Sequence, residues 1–204
     1  MGIISVDLFI TLDGVYQAPG GPDEDLSDGF EFGGWQGAYV DEESGAAIGA
    51  GIDQMDALLL GRRTYDIFAS YWPHQSDEIP IAKKFNAMDK FVVSRSRTNP
   101  SWAGTTVLSE LSEVRALKEK FTDIHVVGSG DLARSLLRAD LADRLNLYMY
   151  PLTLGKGKRL FAEGTGVPAA FRLIQPPVAF PKGSIALRYE RAGIPVTGIV
   201  MGAA

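Results

Sequence analysis

The sequence predicts an α/β domain on a central, mostly parallel eight-stranded sheet, with helices on both faces and an antiparallel hairpin at the C-terminal end. Three observations predict it. Short apolar or β-branched runs alternate with helix-like segments as far as Leu145; beyond Leu145 the helices stop and strands continue; and 46% of the 204 residues are apolar, enough for one well-filled core. Residues 1–191 read as a single domain, and 192–204 as a small, apolar tail, either an added edge segment or a dimer contact.

The strands are expected at Ile3 to Ile10, Ala57 to Leu60, Lys90 to Ser94, Thr105 to Leu108, Ile124 to Val127, Leu145 to Pro151, Phe171 to Gln175 and Ser184 to Arg191. Between them the spacing predicts helices over Asp41 to Met55, Arg62 to Ser70, Asp77 to Met88, Leu111 to Phe121 and Asp131 to Ala139. The last carries Leu132, Leu136 and Leu137 on one face. Strand and helix in alternation imply right-handed crossovers and a parallel sheet. The loop holding Pro176, Pro177 and Pro181 separates the last two strands, which must therefore pair antiparallel.

Charge and composition exclude several functions. With 25 acidic and 20 basic residues the net charge is −5, so no bulk basic field holds nucleic acid or an anionic membrane, and any anion site must be local. Zero cysteines exclude disulfides, thiolate catalysis, iron–sulfur clusters and cysteine-ligated zinc. Two histidines, His74 and His125, are too few for a three-histidine metal site. The first twenty residues have no basic leader pattern, and no apolar run is long enough to span a bilayer, so a cytoplasmic protein is expected.

Three strand-to-helix turns carry the chemistry of an anion site, the alternatives being, in order, a solvated helix start capped by threonine, an ordinary polar loop and a tight αβ connection. In Leu60-Gly61-Arg62-Arg63-Thr64-Tyr65 a buried strand runs into a glycine that permits close approach, two arginines that supply charge and a threonine placed to cap the helix. In Val93-Ser94-Arg95-Ser96-Arg97-Thr98, hydroxyls flank guanidinium groups, a combination suited to a phosphomonoester. Val127-Gly128-Ser129-Gly130-Asp131-Leu132-Ala133 fits the glycine pattern of a dinucleotide turn. It sits late in the chain, without the acidic residue a Rossmann unit places about twenty residues on, so a pyrophosphate turn outside a Rossmann domain is the reading. A fourth glycine loop, Leu154-Gly155-Lys156-Gly157-Lys158-Arg159, lacks P-loop spacing, which removes the main support for ATP hydrolysis. Its three cations are suited to a substrate phosphate or to a solvated basic turn.

In order and spacing these turns resemble those of the dihydrofolate reductase-like superfamily. The resemblance is to the C-terminal reductase domain of the bifunctional riboflavin-biosynthesis deaminase-reductase and its stand-alone bacterial relatives. It spans roughly residues 3 to 191. It rests on Thr11-Leu12-Asp13-Gly14-Val15, Gly33-Gly34-Trp35, the three turns above, Tyr71-Trp72-Pro73, and Asp143-Arg144-Leu145 leading into Pro151-Leu152-Thr153-Leu154-Gly155-Lys156-Gly157. It implies NADPH as cofactor, with Gly61, Arg62, Arg63 and Thr64, and Gly128, Ser129, Gly130, Asp131 and Leu132, around the phosphates. Ser94, Arg95 and Ser96 would meet the adenosine 2′-phosphate, and the nicotinamide would lie by Thr11 to Gly14. The deaminase half is absent, so the activity implied is reductive only.

Hydride chemistry needs a proton as well. Asp13, following the first strand beside a glycine, is the candidate catalytic acid, with an Asp-Gly turn and solvent as the alternatives. Trp35, Leu154, Gly155 and Lys156 are the candidate substrate residues. Asp41, Glu42 and Glu43 read as N-terminal helix partners, not as a pterin-binding carboxylate. The implied reaction is reduction of the ribosyl chain of a pyrimidine riboflavin precursor. The alternatives are reduction of another small carbonyl, imine or pterin, or a regulatory protein that keeps the nucleotide cleft without catalysis. A homodimer is expected from the apolar tail and from the tyrosine- and methionine-rich strand Leu145 to Pro151.

Overall fold

A computed structural model describes residues 1–96, 99–164, 166 and 168–199. Among them the elements run β1 (Ile3–Thr11), α1 (Glu42–Asp53), β2 (Ala57–Gly61), α2 (Arg62–Tyr71), α3 (Pro80–Ala87), β3 (Asp89–Val93), β4 (Thr105–Leu108) and α4 (Leu111–Leu117). There follow β5 (Asp123–Val127), α5 (Gly130–Arg138), β6 (Arg144–Tyr150), β7 (Phe171–Leu173), β8 (Val178–Ala179) and β9 (Ile185–Arg191). The strands form one sheet in the order β4-β3-β2-β5-β1-β6-β9-β7, with β8 also on β9. Pairing is parallel from β4 to β6 and antiparallel where β9 meets β6, β7 and β8.

Among the described residues the sheet has nine strands, not eight. The ninth is β8, two residues inside the proline loop, where Val178 and Ala179 pair with Ala186 and Ile185 just beyond Pro176-Pro177. The α3 helix starts at Pro80, three residues later than the periodicity predicts, because proline's fixed φ and missing N–H suit the first helical position. Strand β6 lies between β1 and β9 with Tyr148 and Tyr150 buried. That interior place removes it from the surface on which the expected dimer contact was partly based.

The helices divide between the faces as alternation along the strands requires. Leu132, Leu136 and Leu137 of α5 and Val114 and Leu117 of α4 pack with Ile4, Val6, Leu8, Leu59, Ile124 and Val126. On the other face Ile52 of α1, Tyr65 of α2 and Phe85 of α3 pack with Leu58, Leu60 and Val92. An aromatic group of Phe9, Trp35, Tyr148, Tyr150 and Phe180 continues that second face. Trp72 and Tyr65 belong to this packing. Trp72 sits against Phe68 and Phe85, and the Tyr65 hydroxyl accepts from Trp102 N at 2.9 Å.

A polar group is built into the second face. His125, 5% exposed, donates from Nδ1 to Asp7 Oδ2 at 2.6 Å, while Asn146 Nδ2 donates to Asp7 Oδ1 at 2.9 Å. His125 Nε2 lies 3.1 Å from Asp123 Oδ1, a charge contact turned out of line for a hydrogen bond. Burial alone would lower the imidazole pKa, but the two carboxylates outweigh it and raise the value to about 9. A raised pKa stabilises the fold fully below the unfolded value of about 6.5, and that contribution disappears as pH climbs through about 9. Urea unfolding across this window should therefore show stability falling by on the order of 3 kcal/mol. In His125→Gln that slope should vanish; a slope that survives would assign it to other groups.

Candidate functional site

Strand order creates the site. The connection from β2 through α2 and α3 leads outward to β3, while that from β5 through α5 leads across β1 to β6. Right-handed crossovers send these helices to opposite faces, so β2 and β5 flank a topological switch point, where a crevice opens beyond the strands' carboxyl ends. The pairing shows the opening directly. β2 and β3 pair over five residues, but β2 and β5 only through Ala57↔Ile124 and Leu58↔His125, after which they part. β5 also ends at Val127, level with Asp7, while β1 runs on to Thr11, so the last residues of β1 border the same gap.

The first and third anion-type turns meet across it. Ser129 Oγ accepts from Gly61 N at 3.0 Å, and Ser129 N donates to Thr64 Oγ1 at 3.1 Å. Thr64 thus ties one turn to the other and does not cap its own helix. Neither Gly61 before α2 nor Ser129 before α5 makes a side-chain cap, unlike Asp41, which caps α1 by accepting from Ser44 N at 2.8 Å. Two helix N-termini therefore face the crevice with first-turn N–H groups open to an anion. Gly128 (φ 59) takes the left-handed conformation, and its N–H donates to Asp7 O at 3.0 Å. Gly130 is held to glycine by Tyr16: an ideal Cβ there would fall 2.2 Å from the tyrosine ring. Burial, then the Asp131 charge, raises the Tyr16 hydroxyl's pKa against the pull of Arg134.

The other residues expected to meet a cofactor line the same edge. Gly61 pairs with Val93, so the turn at Ser94 follows directly beside it. Ser94 is buried and its Oγ accepts from Ser96 N at 3.3 Å. Arg95 is 84% exposed, with Glu110 at 3.8 Å, an ion pair too long and too wet to hold it. Arg62 pairs with Asp66 at 3.3 Å, Arg63 is exposed, and Asp131 pairs with Arg134. Arg97 and Thr98 lie outside the described residues.

Asp13 does not have the surroundings of a catalytic acid. Its Oδ1 accepts from Thr11 Oγ1 at 2.5 Å and Leu154 N at 3.2 Å, and its Oδ2 from Gly155 N and Arg159 Nη2, both at 2.8 Å. Burial works upward on its pKa, but these hydrogen bonds together outweigh it and hold the carboxyl well below the usual range. Such a group keeps no proton to give. Gly14 (φ 77) closes the turn, and Thr11, fully buried, also accepts from Val15 N at 3.0 Å.

The same network occupies the candidate substrate residues. Leu154 and Gly155 spend their N–H groups on Asp13, and Lys156 Nζ donates to Gly29 O at 2.7 Å. Lys158 Nζ holds Asp25 at 2.5 Å and Ser27 Oγ at 2.6 Å. The basic turn is thus neither free nor merely solvated: it clamps the loop after β1. Trp35 is packed edge-on against Tyr150 and donates from Nε1 to Gln17 O at 2.8 Å. Sequence reasoning missed Arg159 as Asp13's partner and Tyr16 as the cover of Gly130. A tyrosine close behind the first strand and an arginine in the basic turn were visible, but nothing local pairs them.

The family model of the RibD C-terminal domain matches residues 3–176. The chain belongs to that family. It is similar to the uncharacterized protein YyaP of Bacillus subtilis, 26% identical over 167 residues that cover 78% of this chain and 80% of the relative. Among solved structures it is similar to a protein of Shewanella sp. PV-4 whose name links it to riboflavin biosynthesis. The TM-score is 0.65 at 20% identity, covering 93% of this chain and 99% of that one. A pyrimidine reductase-like protein of Corynebacterium diphtheriae gives a TM-score of 0.59 at 11% identity, covering 94% and 92%. At such identities the structural likeness establishes the fold alone.

Asp13→Asn separates the two roles. A clamp predicts a loss of roughly 2 kcal/mol in chemical unfolding, as charge-assisted hydrogen bonds disappear, with faster amide exchange at Leu154 and Gly155. Unchanged stability with lost turnover would restore Asp13 as the acid.

Proposed function

We propose that the chain is an NADPH-dependent reductase acting on a small heterocyclic substrate, such as the ribosylamino-pyrimidine of riboflavin biosynthesis. One observation carries the reading: both helix N-termini at the switch point lack side-chain caps, while their hydroxyls are used to bind the two turns together. The arrangement suits a diphosphate, which needs a row of N–H donors and a close backbone approach. Membership of the RibD C-terminal domain family supports the same reading.

Arg62, Arg63 and Thr64, with Gly130, Asp131 and Leu132, are the residues whose first-turn N–H groups would hold the diphosphate. Ser94, Arg95 and Ser96 would take the 2′-phosphate at the neighbouring strand end. A bound reduced nicotinamide supplies hydride. Thr11 and Gly14 border its place, and the Asp13 clamp positions that rim. With Asp13 committed, the accompanying proton comes from solvent. A pterin is the weaker substrate, because Asp41 spends its carboxylate on Ser44 N and Lys182 N at the start of α1.

Purified protein mixed with NADPH and 5-amino-6-ribosylaminouracil 5′-phosphate should lose nicotinamide absorbance faster than the enzyme-free control. No excess rate would remove this pyrimidine as the substrate. Arg95→Ala should weaken NADPH roughly 10- to 100-fold while leaving NADH nearly unchanged, since a charge-assisted hydrogen bond contributes about 1.5 to 3 kcal/mol. Equal loss for both nucleotides would place Arg95 on a group they share, and no loss for either would leave the turn a solvated loop.

A further inference from the structure

Among the described residues the tail has no cover on its own chain. Past β9, Ala192 N donates to Ala170 O at 2.7 Å and Ala170 N to Gly193 O at 2.9 Å, so the chain leaves the sheet beside the start of β7. Over the next six residues Ile194, Val196 and Ile199 are 80%, 81% and 74% exposed. Single exposed aliphatics are ordinary, but three so close together in irregular chain mark a contact surface. The pocket at the root of the tail, lined by Asp140, Asp143, Arg144, Glu190 and Arg191, is too charged to receive them.

A matching surface lies at one end of the sheet. The β4 edge is polar, with Thr105 and Thr106 in the strand and Glu110 and Arg95 beyond it. The opposite edge carries Leu173 and Ile174 at β7 and Val178 at β8, all large, exposed hydrophobics, beside Arg172, which is paired with Glu190. β7 is last in the strand order, so one side of its backbone is unpaired among the described residues. An open edge of this kind binds extended chain by adding a strand, with hydrogen bonds along the backbone and apolar contacts at alternate residues. Six residues reach about 20 Å when extended, enough to follow β7 and approach β8.

We propose that residues 194–199 of one copy add as an outer strand to the β7 edge of a second copy, and that the exchange is reciprocal. In that position Ile194 and Val196 fall on one face of the added strand and meet Leu173, while Ile199 falls on the opposite face, the side to which Ile174 points. Pro195 lies between them without an N–H, so the new outer edge lacks a donor and discourages further strands. Reciprocity closes the pair under twofold symmetry and prevents a filament.

Light scattering on the full chain should return twice the 22.0 kDa chain mass at micromolar concentration. Chains ending at Gly193, and the full-length double variant Ile194→Asp/Val196→Asp, should return the single mass with unchanged circular dichroism. A native dimer that survives both changes, or a monomer in the unaltered protein, would overturn the proposal. The chain has no cysteine, which permits a direct second test. Oxidising an equimolar mixture of Val196→Cys and Leu173→Cys chains should yield the mixed disulfide dimer in excess. If instead one chain carrying both substitutions links internally at the single mass, the tail covers its own edge and the second copy is excluded.

Discussion

The hydroxyls of Ser129 and Thr64 join two turns that the sheet itself leaves apart. Strands β2 and β5 pair over only two residues before diverging, and no backbone ladder bridges Gly61 to Ser129. Ser129 Oγ takes the Gly61 N–H and Thr64 Oγ1 takes the Ser129 N–H, so the crevice keeps a fixed width while the helix starts on either side remain uncapped. Capping α2 with Thr64 would satisfy one of its first-turn N–H groups and release that link between the turns. The donors left open at two adjacent helix ends suit an anion without the P-loop or Rossmann pattern.

A second constraint fixes the rim. Asp13 gathers Thr11, Leu154, Gly155 and Arg159 around one carboxylate, and Lys156 and Lys158 extend the clamp to Gly29, Asp25 and Ser27. The glycine- and acid-rich loop after β1 anchors Val15, Phe30 and Trp35 in the core, and these charges hold its polar residues in place. Ions only partly withdrawn from water gain most when several share partners, as they do here. Two of the turn's three cations, Lys158 and Arg159, are therefore neutralised at home by Asp25 and Asp13.

The parts of this architecture that the sequence made legible are the ones written locally. Alternating apolar runs located the strands, and hydroxyl or basic residues at a strand end, joined by glycine in two cases, marked the three turns. What stayed hidden depends on partners far along the chain. Arg159 meets Asp13 across 146 positions, so the Asp-Gly turn showed a carboxylate without showing what would hold it. Thr64 had the position of a cap, and only its distance to Ser129 reveals the bridge. β6 looked like surface because its tyrosines and methionine suit interfaces, yet insertion of β9 between β6 and β7 buried it. β8, two residues long, was too short for any periodicity to register.

The central claim is that NADPH binds across the two uncapped helix ends at the β2–β5 switch point. An amide-resolved NMR titration of the protein with NADPH measures this residue by residue. The account predicts the largest shifts at Arg62, Arg63, Thr64, Gly130, Asp131 and Leu132, with smaller ones at Ser94 to Ser96. Saturable shifts confined to other surfaces, or none at millimolar NADPH, would contradict it.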